Sequence, residues 1–126
     1  MTRARPTLIL TSSASGFRAV RPMEISARQL LDGIAAGTVP TILDVRSGWE
    51  YRRGHVQRAI HIPFWTLAAR LSEVPGSADD PIVVYCGHGP RAWMAGGVLH
   101  RHGFRHVTYL AGHMHGWRQA GLPEER

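Results

Sequence analysis

The stretch that decides the fold is Ile82-Val83-Val84-Tyr85-Cys86-Gly87-His88-Gly89-Pro90-Arg91. Four apolar, largely β-branched residues in a row predict a strand buried on both faces, Ile82–Tyr85. Two glycines then let the backbone curl tightly. Pro90 suits the first turn of a helix, where its missing N–H is not needed, and a helix is predicted from about Pro90 to Arg101. In open parallel sheets, ligands bind beyond the carboxyl ends of the strands, and Cys86 stands at that place. A loop curled this way aims successive N–H groups inward, and the helix N-terminus adds its positive end. The result is a cup for an anion with a thiol at its base.

Outward from this segment the chain alternates strand-like and helix-like runs. Before it come a short strand at Met23–Ile25 and a helix Ala27–Ala36, with Ser26 as N-cap and Gly37 at its end. Thr41–Val45 is a second doubly buried strand, Ser47–Arg53 a short helix, Ala59–Ile62 a short strand and Trp65–Leu71 a helix. After it, Val107–Leu110 is the last expected strand and Met114–Ala120 the last expected helix. Short alternating elements predict an α/β domain built of βαβ units, an open parallel sheet with helices on both faces. The four tryptophans, Trp49, Trp65, Trp93 and Trp117, all fall in helical segments and are expected to be core or partly buried rather than to stack on bases.

The chain has 126 residues, 44% of them apolar, enough for one domain with a real core. No apolar run approaches the roughly 20 residues of a membrane-spanning helix. Cys86 is the only cysteine, so an internal disulfide and a multi-cysteine zinc site are both excluded. The formal charge is +6, and all fifteen basic residues are arginine. Four of them, Arg3, Arg5, Arg18 and Arg21, lie in an acid-free segment 1–22, which leaves eleven arginines against nine acids in 23–126. The body is nearly balanced and shows no basic stripe of the kind a nucleic-acid module needs. The domain is therefore expected to span 23–126, with 1–22 a basic extension, expected to be flexible. The extension's Arg, Ser and Thr content resembles an organelle transit peptide, but its apolar stretch Leu8–Leu10 is too short for a secretory signal. A cytoplasmic location is the expectation, with organelle targeting the alternative.

A free cysteine is only about 3% thiolate at pH 7, and a helix N-terminus with a neighbouring arginine depresses its pKa. Cys86 with Arg91 meets both conditions. The eight histidines form no set of three or four ligands with a carboxylate or thiolate at metal spacing, so no metal is expected.

From about Met23 to Pro123 the chain resembles single-domain rhodaneses. The resemblance is carried by Ile42-Leu43-Asp44-Val45-Arg46 with Glu50-Tyr51, by Gly54-His55-Val56, and by Ala59-Ile60-His61-Ile62-Pro63. It continues through Val83-Val84-Tyr85-Cys86 with Arg91, then Leu110-Ala111-Gly112, Trp117 and Gly121-Leu122-Pro123. It implies a five-stranded rhodanese-like sheet and a persulfide mechanism. Cys86 would take a sulfane sulfur from a donor such as thiosulfate and yield it to cyanide, a small thiol or a protein acceptor, with no cofactor. Gly87, His88, Gly89, Pro90 and Arg91 would form the substrate-binding loop, Arg91 orienting it or holding the donor's anionic end. Asp44, Arg46, Glu50 and His55 match architectural positions. Two departures stand out: Gln57-Arg58 replace a Pro-Gly pair, and His113 replaces a second glycine after Gly112. His113, Met114 and His115 are then expected at the pocket mouth. Two alternatives follow: a phosphatase or arsenate reductase of related fold, whose loops are Cys-x5-Arg where this one is Cys-x4-Arg, and a non-catalytic interaction module.

Overall fold

The computed structural model describes residues 23–38 and 40–126. The extension 1–22 lies outside the described residues. Five parallel strands form the main sheet: β1 (Glu24–Ile25), β2 (Thr41–Asp44), β4 (Ile60–His61), β5 (Ile82–Tyr85) and β6 (Val107–Leu110), in the order β1-β6-β5-β2-β4. The most apolar strand therefore takes the centre. β5 is flanked in register by β2 (Leu43 beside Val84) and by β6 (Val83 beside Thr108).

The strands alternate their side chains between two cores, as the period of two requires. Leu43, Val45, Ile82, Val84 and Cys86 pack on one face with Ala92, Ala95 and Leu99 of helix α3 (Pro90–Arg101). Ile42, Val83 and Tyr85 pack on the other with Leu30 of α1 (Ala27–Ala36) and with Met114 and Trp117 of α4 (His113–Gln119). Helices thus cover both faces of an open parallel sheet, as the alternating pattern predicts.

Local sequence signals place the helix starts. At α1, Ser26 accepts the Gln29 N–H while the Gln29 side chain accepts the Ser26 N–H, each at 3.0 Å. Ser47 and Glu50 form the same reciprocal cap at α2 (Gly48–Arg53). The carboxyl side of the sheet is consequently framed by β2, β5 and β6 and by the starts of α2, α3 and α4.

Three features differ from the sequence reading. The helix expected at Trp65–Leu71 is a pair of 3₁₀ turns, Phe64–Ala69 and Leu71–Glu73. Pro63 opens the first, and only Leu67 is fully buried there, so this segment has no apolar stripe long enough for an α-helix. A second, two-stranded sheet was not expected: β7 (Glu124–Glu125) pairs antiparallel with β3 (His55–Val56). Only Trp117 of the four tryptophans is buried, whereas Trp49, Trp65 and Trp93 are 54–62% exposed.

Candidate active site

Cys86 follows β5 at the carboxyl edge of the sheet, and its side chain is buried. The loop behind it turns back at Gly89, whose φ of +137° is open only to glycine, and the Gly89 N–H donates to Cys86 Sγ at 3.0 Å. The sulfur therefore lies at the base of the cup that the Gly-His-Gly-Pro sequence predicts. Burial pushes the thiol pKa up. The His113 ring and the N–H groups of Ala92 and Gly89 outweigh that and bring it from 9.0 down to about 7. About half of Cys86 is then thiolate at neutral pH, the reactive form of a cysteine.

Arg91 reaches around the loop to Glu50. The guanidinium takes both carboxylate oxygens, Nη1 to Oε1 at 2.6 Å and Nη2 to Oε2 at 3.0 Å. This pairing, with the cap at Ser47, holds the Glu50 carboxyl at about 2, far below its ordinary 4.5. The expected anion-holding fork of Arg91 is thus occupied by a side chain 41 positions away. Gly87 lies against the pair: a Cβ there would come within 3.1 Å of Arg91 Nη2.

Further contacts brace the edge. Asp44 and Arg46, both buried, form a bidentate ion pair, and Arg46 Nη2 also donates to the Gly54 carbonyl at 2.8 Å. The Tyr85 hydroxyl accepts the buried Val56 N–H at 3.0 Å, and burial with the nearby Asp44 charge pushes its pKa well up. His55 stacks on Tyr51 at 3.7 Å between ring centres.

A cavity of about 510 Å³ opens over the loop, lined by Trp49, Arg53, His88, Arg91, His115 and Arg118 among others. Arg46, Arg53, Arg91 and Arg118 line it, and all but Arg53 are paired with carboxylates. Arg118 is paired with Glu124, and Arg53 lies over the Trp49 ring at 4.5 Å with no carboxylate partner among the described residues. His88 and His115 face each other across the mouth at 4.8 Å between ring centres. Among the described residues no three His, Cys, Asp or Glu side chains converge on a point where a metal would sit.

Met114 and His115 line this cavity, as the sequence reading expected, but His113 does not. It is 7% exposed and turned inward, with Nδ1 accepting the Cys86 N–H at 3.2 Å. Position 113 also has a positive φ of +52°, which accounts for glycine as the usual residue of the pattern there. The sequence signal for this contact is the departure itself: a bulky polar residue where the backbone favours glycine.

Residues 26–120 match the family described as Rhodanese-like domain. A sulfurtransferase of Allochromatium vinosum is 30% identical over 79% of this chain and 92% of its own length. The thiosulfate sulfurtransferase GlpE of Actinobacillus pleuropneumoniae is 33% identical over 68% of this chain and 77% of its own. The HTH-type transcriptional regulator Rv0324 of Mycobacterium tuberculosis is 43% identical over 79% of this chain but only 43% of its own length. Among solved structures, a rhodanese-related protein of Thermoplasma volcanium superposes with a TM-score of 0.69 at 28% identity, covering 82% of this chain and 97% of that one. A Lactobacillus plantarum protein does so with a TM-score of 0.73, again at 28% identity, covering 94% of this chain and 95% of that one. Sequence match, sheet order and a cysteine loop at the carboxyl edge agree, and the chain belongs to the rhodanese-like family.

Proposed function

We propose that the protein is a sulfurtransferase that carries sulfane sulfur on Cys86. In the loading step the Cys86 thiolate attacks the outer sulfur of a donor such as thiosulfate. A Cys86–sulfur bond forms, the donor's S–S bond breaks, and sulfite leaves with the electron pair. In the second step a thiolate or cyanide attacks the outer sulfur of Cys86–S–S⁻, and the electron pair returns to Cys86 as thiolate. The cycle needs one cysteine and no resolving partner, and one is what the chain has. Amide donors around the sulfur suit both anions, as an oxyanion hole does.

The observation that carries this reading is the Cys86 sulfur at the base of the loop with the Gly89 N–H donating to it at 3.0 Å, in surroundings that lower the thiol pKa to about 7. Thiosulfate should raise the intact mass by one sulfur atom, cyanide should remove it, and Cys86→Ser should abolish both events. Aryl phosphates should turn over poorly, because the Cys-x4-Arg loop is one residue shorter than the phosphatase-type loop. Rapid aryl-phosphate hydrolysis with no sulfur adduct from any donor would replace this reading with phosphatase chemistry. No adduct and no hydrolysis, with an unperturbed thiol, would leave an interaction module, the role suggested by the rhodanese-like segment's likeness to part of a transcriptional regulator.

A further inference from the structure

His113 is a buried histidine at the Cys86 loop to which the sulfur-transfer scheme above gives no part. Its placement is built with some effort. Gly112 at φ +80° and His113 at φ +52° make two successive left-handed residues, an unfavourable conformation for a side chain of this size. That turn drops the start of α4 onto the cysteine loop, where the Met114 N–H donates to the Cys86 carbonyl at 2.9 Å and the His115 N–H to the Gly87 carbonyl at 3.1 Å. The His113 ring then spans the loop. Nδ1 is 3.2 Å from the Cys86 amide nitrogen, and Nε2 lies 3.5 Å from where a Cβ on Gly89 would stand. Gly89 is the residue whose amide donates to the sulfur.

The contact fixes the ring's proton. A backbone amide only donates, so Nδ1 must be the acceptor, and the single proton of the neutral ring is then on Nε2. In this tautomer the ring's donor is Nε2, the atom that lies against Gly89. The other ionisable groups around the loop are Arg91, matched by Glu50, and the His88–His115 pair at the mouth. Asp44 and Arg46 are matched to each other.

We propose that His113 is a positioning residue of the thiolate: held through Nδ1 by the Cys86 amide, it turns its Nε2–H side to the loop and keeps Cys86 in its nucleophilic form. The inference deepens the sulfurtransferase reading and rests on it for its role in turnover. In loading it stabilises the attacking thiolate. In the acceptor step it stabilises the same thiolate as the leaving group, when the electron pair of the broken S–S bond returns to Cys86. The thiol's low pKa, with the His113 ring foremost among the groups that lower it, agrees with this placement.

Two variants of the full chain separate the imidazole from its structural contact. His113→Gly removes the ring and relieves the positive φ. His113→Asn tolerates that φ and keeps an acceptor for the Cys86 N–H, but cannot reach where Nε2 stands. The readout is the pH midpoint of iodoacetamide alkylation, which ring removal does not shift merely by opening access. Both variants should move the midpoint upward by about one pH unit, so that about tenfold less thiolate is present below it. An unchanged midpoint in His113→Gly, or a wild-type midpoint in His113→Asn, would overturn the inference. In the wild type, ¹⁵N NMR should show the Nε2–H form of His113, and an Nδ1–H form would overturn it whatever the variants' stability. Intact-mass loading with thiosulfate is measured alongside. A wild type with a low midpoint that takes up no sulfur refutes the sulfurtransferase reading and leaves the His113 result standing.

Discussion

Glu50→Gln isolates the charge that holds Arg91. Glutamine can still cap Ser47 and accept from Arg91, so the change removes the ionic part of the contact and leaves α2 its capping box. A carboxyl that titrates at about 2 in the fold and 4.5 when free contributes about 3 kcal/mol of stability at neutral pH. The sign follows from a depressed folded pKa: the contribution is fully present above 4.5 and is lost as pH falls through 2. About 2 kcal/mol of it should be gone by pH 3. Urea unfolding at pH 6 should therefore find Glu50→Gln less stable than wild type by up to about 3 kcal/mol, and the gap should narrow to about 1 kcal/mol at pH 3. A gap that is the same at both pH values would refute the ionic account of Arg91. A gap near zero at pH 6 would show that solvent screens the pair, whose side chains are each 29% exposed, to the level of a surface contact.

Two further substitutions probe the bracing of the strand ends. Asp44→Ala strands Arg46 in the interior without its partner and should cost about 3–5 kcal/mol, read as a fall in Tm of more than 10 °C or so in thermal denaturation; a loss below about 1 kcal/mol would mean that Arg46 finds water or another acceptor. Tyr85→Phe leaves the buried Val56 N–H without an acceptor and should cost about 1–3 kcal/mol by urea unfolding, with sulfur loading at Cys86 retained in the folded protein.

The central strands and the cysteine loop were legible because their signals are local. Ile82–Tyr85 and Thr41–Asp44 are unbroken apolar or β-branched runs, and Gly89-Pro90 punctuates the turn into α3 within two residues. What was not legible depends on distant parts of the chain. Glu124–Glu125 has no strand propensity, and it pairs with β3 because α4 delivers it there, with Arg118 clasping Glu124. Leu67 and its neighbours are apolar enough for a helix, yet the segment after Pro63 buries too little to stabilise one. The partner of Arg91 stands on α2, and only the β2–β5 adjacency brings the two together. The role of His113 was masked in the same way. Its place after β6 was readable, but its inward turn follows from a backbone conformation that sequence alone marks only as unusual for histidine.

These contacts act on one target. β2 contributes Asp44, which holds Arg46 against the Gly54 carbonyl at the end of α2. From α2, Glu50 holds Arg91 at the start of α3 beneath Gly87. α4 contributes the Met114 and His115 amides to the Cys86 and Gly87 carbonyls, and His113 to the Cys86 amide. The Cys86 and Gly87 carbonyls are thereby tied to α4, while the Gly89 amide faces the sulfur. Donors fixed in this way before charge develops need no reorganisation when it does, and that is the condition under which hydrogen bonds to an anion stabilise it most. A loop held only by its two glycines would lose that advantage to backbone entropy. The buried Asp44–Arg46 pair, the half-buried Glu50–Arg91 pair and the turn at Gly112-His113 are therefore the scaffold of the anion cup, and weakening any of them should loosen the loop around the sulfur before it unfolds the sheet.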